Sequence, residues 1–169
     1  RVAIGHGATD IVIKGGCIRP ITAHADEGLV SFKQLSLDTA LELAHTTLKN
    51  CRENGYQVAV AVVDRMGNLQ VNIRDQLAGA HTTETAYRKA WTAVNFRSST
   101  MEMSKLTKTG VSQWGIRFVD NALMAGGGLI VEAAGSIVAG IGVSGAPGGD
   151  LDENCAKVGI ESIIDQLEF

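Results

Sequence analysis

Apolar residues change their spacing several times along this chain, and each change marks an element. After Ser36, the residues Leu37, Ala40, Leu41, Ala44, Leu48 and Cys51 recur every three or four positions, the period of one helix face. Ser36 stands where a side chain caps free backbone N–H groups, and Gly55 where a helix stops. From Val58 to Val63 the spacing gives way to an unbroken apolar run that ends at Asp64, and Met66-Gly67-Asn68 separates it from Leu69 to Ile73. Two short apolar runs about a glycine-bearing turn predict an antiparallel hairpin. Beyond Gly79, Thr83, Ala86, Tyr87, Ala90, Trp91 and Val94 return to helical spacing and predict a second helix of about four turns.

The second half repeats the alternation of types. Ser104 to Val119 is mixed and reads as a short helix and a loop. Leu123 to Glu132 and Ser136 to Val143 read as two strands about Ala134-Gly135, and Leu151 to Leu167 as the terminal helix. Asp150, with Glu153 three positions on, has the form of a capping box. Strands joined by hairpins, with helices before, between and after them, predict an α+β fold in which helices pack on an antiparallel sheet. A doubly wound parallel sheet would need strands alternating with helices throughout.

Residues 1–34 hold no sustained period and break at Gly15-Gly16 and Pro20. They read as an N-terminal extension ahead of one domain over 35–169. Ala23-His24-Ala25 resembles the end of a secretory signal, but Lys14 and Arg19 interrupt what would be its apolar region, so no signal is readable.

At 169 residues, 45% of them hydrophobic, the chain supports one well-buried core and no second ordinary domain. Fifteen basic and 18 acidic residues give a net charge of -3 with no basic run, which argues against nucleic acid as a partner. No apolar run approaches the ~20 residues of a membrane span, so no membrane insertion is expected. The expectation is a soluble protein, cytoplasmic, periplasmic or secreted. Cys17, Cys51 and Cys155 form no Cys-x-x-Cys pair, which argues against a zinc ribbon, a thioredoxin motif and covalent haem attachment. Cys51 and Cys155 are read as buried free thiols.

Ten of the 20 glycines lie between Gly126 and Gly159. Gly140, Gly142 and Gly145 fit the spacing of a dinucleotide fingerprint, but Pro147-Gly148-Gly149 intervenes before the helix and no strand follows to carry an acidic partner. These glycines are read as a packed strand and turn. Ser144 lacks the second glycine of a nucleophile elbow, since Ala146 stands there.

Three groups remain as candidate chemistry. His45 borders the apolar face of the first helix, where an imidazole can pack or can reach an apolar pocket and ligate haem iron. His81 and Glu84, three apart at the start of the second helix, share a face and suit metal ligation or proton transfer; a solvated helix start is the plainer reading. Lys89 lies further along the same helix. His6 and His24 fall in the extension.

Three blocks, in order, resemble the GlcG/HbpS family of haem-binding domains, related to the C-terminal domain of the PduO-type corrinoid adenosyltransferases. They are Val62-Val63-Asp64 with Gly67-Asn68-Leu69, then Lys89-Ala-Trp-Thr-Ala93, then Gly126-Gly127-Gly128 with Gly140 to Gly145 and Asp152-Glu153-x-x-Ala156. The match spans Leu35 to Leu167, and the proline of the family after its double glycine is replaced by Leu129-Ile130. The resemblance implies a profilin-like fold, assembly into homo-oligomers, and haem or a related tetrapyrrole held non-covalently near a subunit surface or interface. His45 is then the expected iron ligand and His81 the second candidate, with Glu84 and Lys89 near the cofactor. No complete catalytic constellation is legible. The expected role is sequestration, transport or sensing of haem; the alternative is a small-molecule enzyme or corrinoid-associated accessory domain built on His81, Glu84, Lys89 and Asp152-Glu153.

Overall fold

The computed structural model describes residues 28–167, so the readings of His6, Cys17, His24 and the signal-like stretch fall outside it. Ser36 caps the first helix, α1 (Leu37–Glu53), by accepting the Thr39 N–H at 3.2 Å. The hairpin follows as β1 (Ala59–Asp64) and β2 (Leu69–Arg74). Asp64 shapes its turn: one carboxylate oxygen accepts the N–H groups of Met66 and Asn68, at 2.7 and 2.9 Å. Then come α2 (Thr82–Phe96), α3 (Thr100–Leu106), a 3-10 turn at Trp114–Phe118, β3 (Gly128–Ala133), β4 (Ser136–Ser144) and α4 (Gly149–Ile163).

All pairings are antiparallel, in the order β2-β1-β4-β3. Side chains on a strand alternate between faces. Val60 and Val62 of β1 and Ile141 and Val143 of β4 enter one core with α1 and α4, while Ala59, Ala61 and Val63 meet α2. The sheet is therefore covered on both faces, α1 and α4 on one and α2 on the other, as the predicted α+β architecture requires.

The glycines of β4 set how close α2 lies. A Cβ on Gly142 would overlap the Ala86 carbonyl oxygen and stand 2.6 Å from the Ala90 nitrogen, and one on Gly140 would overlap a Val94 methyl. Both obstacles at Gly142 are backbone, which cannot swing aside. Gly142→Ala is thus expected to cost about 1–3 kcal/mol or more by overpacking. Gly115→Ala, where nothing stands within 4 Å of the added carbon, should stay within about 0.5 kcal/mol. Urea midpoints of the two variants check this, and equal midpoints would contradict the close packing.

Three local readings are corrected. Leu37 and Leu41 are exposed, and Leu43 and Thr47 take their place in the buried face of α1, because the core lies toward β1 and α4 rather than evenly beneath every apolar position. β3 begins at Gly128, not Leu123, because Gly127 turns the backbone at φ 114° over Lys89 and Asp152 before pairing begins. The terminal helix has no capping box: its cap is Gly148, and Asp150 falls inside the first turn.

Cys51 and Cys155 are not free thiols but a buried disulfide with Cα atoms 5.4 Å apart. The packing of α1 on α4 brings them together. A Cβ on Gly159 would overlap Thr47 Oγ1, and Thr47 and Gly159 each lie one turn from a cysteine, in opposite chain directions. The two helices are antiparallel and nearly touching, and the Thr47 hydroxyl turns back to donate to the Leu43 carbonyl at 2.7 Å.

Candidate functional site

The exposed flank of α1 is fixed by what its other flanks touch. Thr39 donates to Gln166, beyond α4, and Glu42 accepts from Gln166, so that side belongs to α4. Leu37, Leu41 and His45, each one turn apart, run along the opposite flank. That flank ends at Arg52, whose guanidinium donates two bonds to Asp75, at 2.7 and 3.1 Å, just beyond β2. These hydrogen bonds hold the Asp75 carboxyl below its ordinary range although it is buried. At the other end, Gln70 of β2 donates to the Leu35 carbonyl at 3.3 Å. The flank therefore follows the edge strand β2, whose Leu69 is half exposed. His45 is exposed at the end of an apolar ledge of Leu37 and Leu41.

His81 is exposed at the N-cap position of α2, with its ring over Gly79, whose added Cβ would lie 2.7 Å from Cε1. Glu84 is exposed one turn on. His45 stands on α1 and His81 at the start of α2, which pack on opposite faces of the sheet. Among the described residues, no three His, Cys, Asp or Glu side chains form a metal-holding group.

Lys89 faces inward. Its ammonium donates to Asp152 Oδ2 and to the Val143 carbonyl, both at 2.8 Å, and Asp152 Oδ1 accepts the Ala146 N–H at 3.0 Å. The pair is almost fully buried. Burial pushes the Asp152 carboxyl up from its ordinary range, against the pull of Lys89. Of the enzyme-like set His81, Glu84, Lys89 and Asp152-Glu153, the structure brings Lys89 and Asp152 into contact, while Glu153 pairs along its own helix with Lys157 at 3.1 Å. A cavity of about 580 Å³ opens elsewhere, at the C-terminal end of α2, with no histidine among the described residues of its wall.

The sequence reading missed the Arg52–Asp75 clamp, the disulfide and this cavity. The disulfide had a signal: both cysteines stand on buried helix faces. The other two are tertiary and have none.

The family model described as haem degrading protein HbpS-like matches residues 35–161. The corrinoid adenosyltransferase PduO of Salmonella typhimurium is 28% identical over 131 residues, 76% of this chain and 39% of its own length. The chain thus spans about two-fifths of the curated relatives matched first. The crystal structure of HbpS superposes with a TM-score of 0.75 at 38% identity, over 80% of this chain and 94% of that one. A PduOC:heme complex superposes with a TM-score of 0.73 at 27% identity, over 77% and 95% of the two chains. No helix among the described residues is long and apolar enough to cross a membrane.

Proposed function

Because this chain belongs to the HbpS-like family of haem-degrading proteins, we propose that it binds haem non-covalently, with His45 as the iron ligand. The observation that carries the reading is the likeness, across most of the chain, to a relative crystallised with heme. The donor set fits a haem better than a bare metal ion. The exposed His45 imidazole would give the haem iron a ligand, and the apolar Leu37–Leu41 ledge beside it would suit a flat apolar ring. The haem itself brings the four equatorial nitrogens and the redox-active iron. His81, with Glu84 beside it, is the second candidate, on the other face. Lys89 serves the site from within, by holding α2 to the sheet.

The ledge carries one histidine, and the edge of β2 lies alongside it. A second copy of the chain covering this edge would bury the ring and complete the site, which supports a homo-oligomer. The buried disulfide favours an oxidising compartment, periplasmic or secreted, over the cytoplasm. Sequestration, carriage or sensing of haem all use the same bound state.

Haemin titration of the apoprotein tests the proposal. The wild type is expected to give a Soret shift, His45→Ala to weaken binding about tenfold or more, and His81→Ala to leave it unchanged. Absence of a Soret shift in the wild type would refute haem binding. A shift identical in both variants would refute ligation by either histidine while leaving the ligand intact.

A further inference from the structure

Five large apolar side chains stand out around the excursion that joins α3 to β3: Leu106, Val111, Trp114, Phe118 and Val119, each 42–69% exposed. The rings of Trp114 and Phe118 meet edge to face with centroids 4.9 Å apart, so they form one surface. The excursion is held firmly. The Arg117 guanidinium donates to the Thr107 and Ser104 carbonyls, which pins the turn Trp114–Phe118 against the end of α3. Arg88 of α2 donates to the carbonyls of Asn121 and Ala122, and Ile116 packs inward on the small core of Met103, Ala122 and Met124. The core under this turn is therefore filled without Trp114 and Phe118. The end of α3 that it rests on carries Leu106 and the exposed Lys105, with the exposed Lys108 just beyond. From Met103 to Val119 the chain has three cations, Lys105, Lys108 and Arg117, and no carboxylate, although its net charge is -3; Glu102 and Asp120 bound the stretch. A rigid apolar face with two aromatic rings and lysines at its margin is the composition of an interaction surface.

We propose that this face docks, peripherally and reversibly, on an anionic lipid surface. Tryptophan suits the headgroup level of a bilayer, because its ring is apolar and its N–H finds a polar partner there. Phe118, the most exposed of the five, enters the acyl boundary beside it. Lys105 and Lys108 lay their apolar stems along the patch and keep their ammonium groups among the lipid phosphates. Each lysine so placed strengthens binding to an anionic leaflet about fivefold. Neither a small apolar patch nor two lysines anchors a protein alone, so docking needs both. Charge also decides between occupants. A second copy docking symmetrically on the same face would set Lys105 and Lys108 against their own counterparts, and like charges across an interface weaken it. Protein interfaces are in general depleted of lysine, whereas an anionic leaflet offers each lysine a phosphate.

Co-sedimentation of the full chain with vesicles tests the proposal, using phosphatidylcholine mixed with phosphatidylglycerol against phosphatidylcholine alone. Binding is expected to the mixed vesicles only, and to fade as salt shortens the Debye length from about 10 Å at 0.1 M toward ~3 Å at 1 M. Lys105→Gln with Lys108→Gln should weaken it about tenfold or more, and Trp114→Ser with Phe118→Ser should do so at least as strongly. All four side chains are exposed, so both variants should melt with the wild type. The chain has two tryptophans; in a Trp91→Phe background the emission of Trp114 should shift to the blue on the mixed vesicles. No binding, equal binding to phosphatidylcholine alone, or undiminished binding by either double variant would each overturn the proposal. Self-association lost in Trp114→Ser with Phe118→Ser, in a chain that ignores vesicles, would overturn it in favour of a second copy. Loss of haemin binding in that variant would also overturn it, by assigning the face to the haem.

Discussion

Replacing Lys89 by methionine is expected to cost about 3–5 kcal/mol of folding stability, read as a lower urea midpoint. Lys89 and Asp152 keep only 5% and 4% of their side-chain surface exposed. Lys89 comes from the helix on one face of the sheet and Asp152 from the first turn of the helix on the other. The contact therefore joins both layers at the edge where Gly127 passes over it, so close that a Cβ there would lie 2.7 Å from Asp152 Cβ and 3.0 Å from Lys89 Nζ. Removing the ammonium leaves a carboxylate with one remaining hydrogen bond, from the Ala146 N–H. That carboxyl is already raised by burial, and without Lys89 it rises further. A group whose folded pKa exceeds its unfolded value favours folding at low pH and loses that contribution as pH rises through the folded pKa. The defect of Lys89→Met should accordingly be larger at pH 8 than at pH 5. The double variant Lys89→Met with Asp152→Leu should recover most of the loss, since exchanging a whole buried pair for apolar groups is often neutral. A single variant as stable as the wild type at both pH values would show that the pair does not join the layers. The folded double variant also settles the role of Lys89: haemin binding that persists makes it a positioning residue, and binding that disappears makes it a contact.

Such a contact shows why part of this fold could be read from the chain and part could not. The helices and strands were legible because burial imposes a period on each: Ser36 before α1, the turn after Asp64, and the small residues of β4 are local facts. The glycines of β4 carry the signature of packing rather than of a phosphate cradle, and the Ala86 and Val94 atoms they make room for are the reason. What escaped depends on relations between distant segments. The α1 periodicity accommodates either Leu37–Leu41 or Leu43–Thr47 as its buried edge, and only the position of α4 decides between them. Gly127 reads as part of a strand, because no local signal reveals that Lys89 and Asp152 lie beneath it. The three blocks that identified the family are packing features of this kind, so they specify the architecture sharply. The histidines that would meet a ligand stand on exposed flanks where burial imposes no pattern, and sequence periodicity is silent about them.

Breaking the Cys51–Cys155 bond should lower the melting temperature by about 10 to 20 °C. The bond closes a loop with a sequence separation of 104, and chain entropy alone assigns about 4.7 kcal/mol to a loop on the order of 100 residues. For a domain of this size each kcal/mol moves the melting temperature by about 2–4 °C. Cys51→Ala and Cys155→Ala should each produce nearly the full loss, and the double variant scarcely more, because either change opens the same loop. That non-additivity separates loss of the bond from loss of packing, since two independent cavities would add. The packing contribution is small in any case: Ala40, Leu43, Ala44 and Ile163 remain buried in the same helix interface. In a Cys17→Ser background, thiol titration in denaturant should find no reactive thiol before reduction and two after it. Two thiols before reduction, or a melting temperature indifferent to reductant present throughout unfolding, would contradict the bond. Because the disulfide joins the two helices whose outer flank carries His45, its loss should also weaken haemin binding when the titration is run near the lowered melting temperature. At low temperature, where α1 stays docked on Val60, Val62 and Ile141, haemin binding should be unchanged.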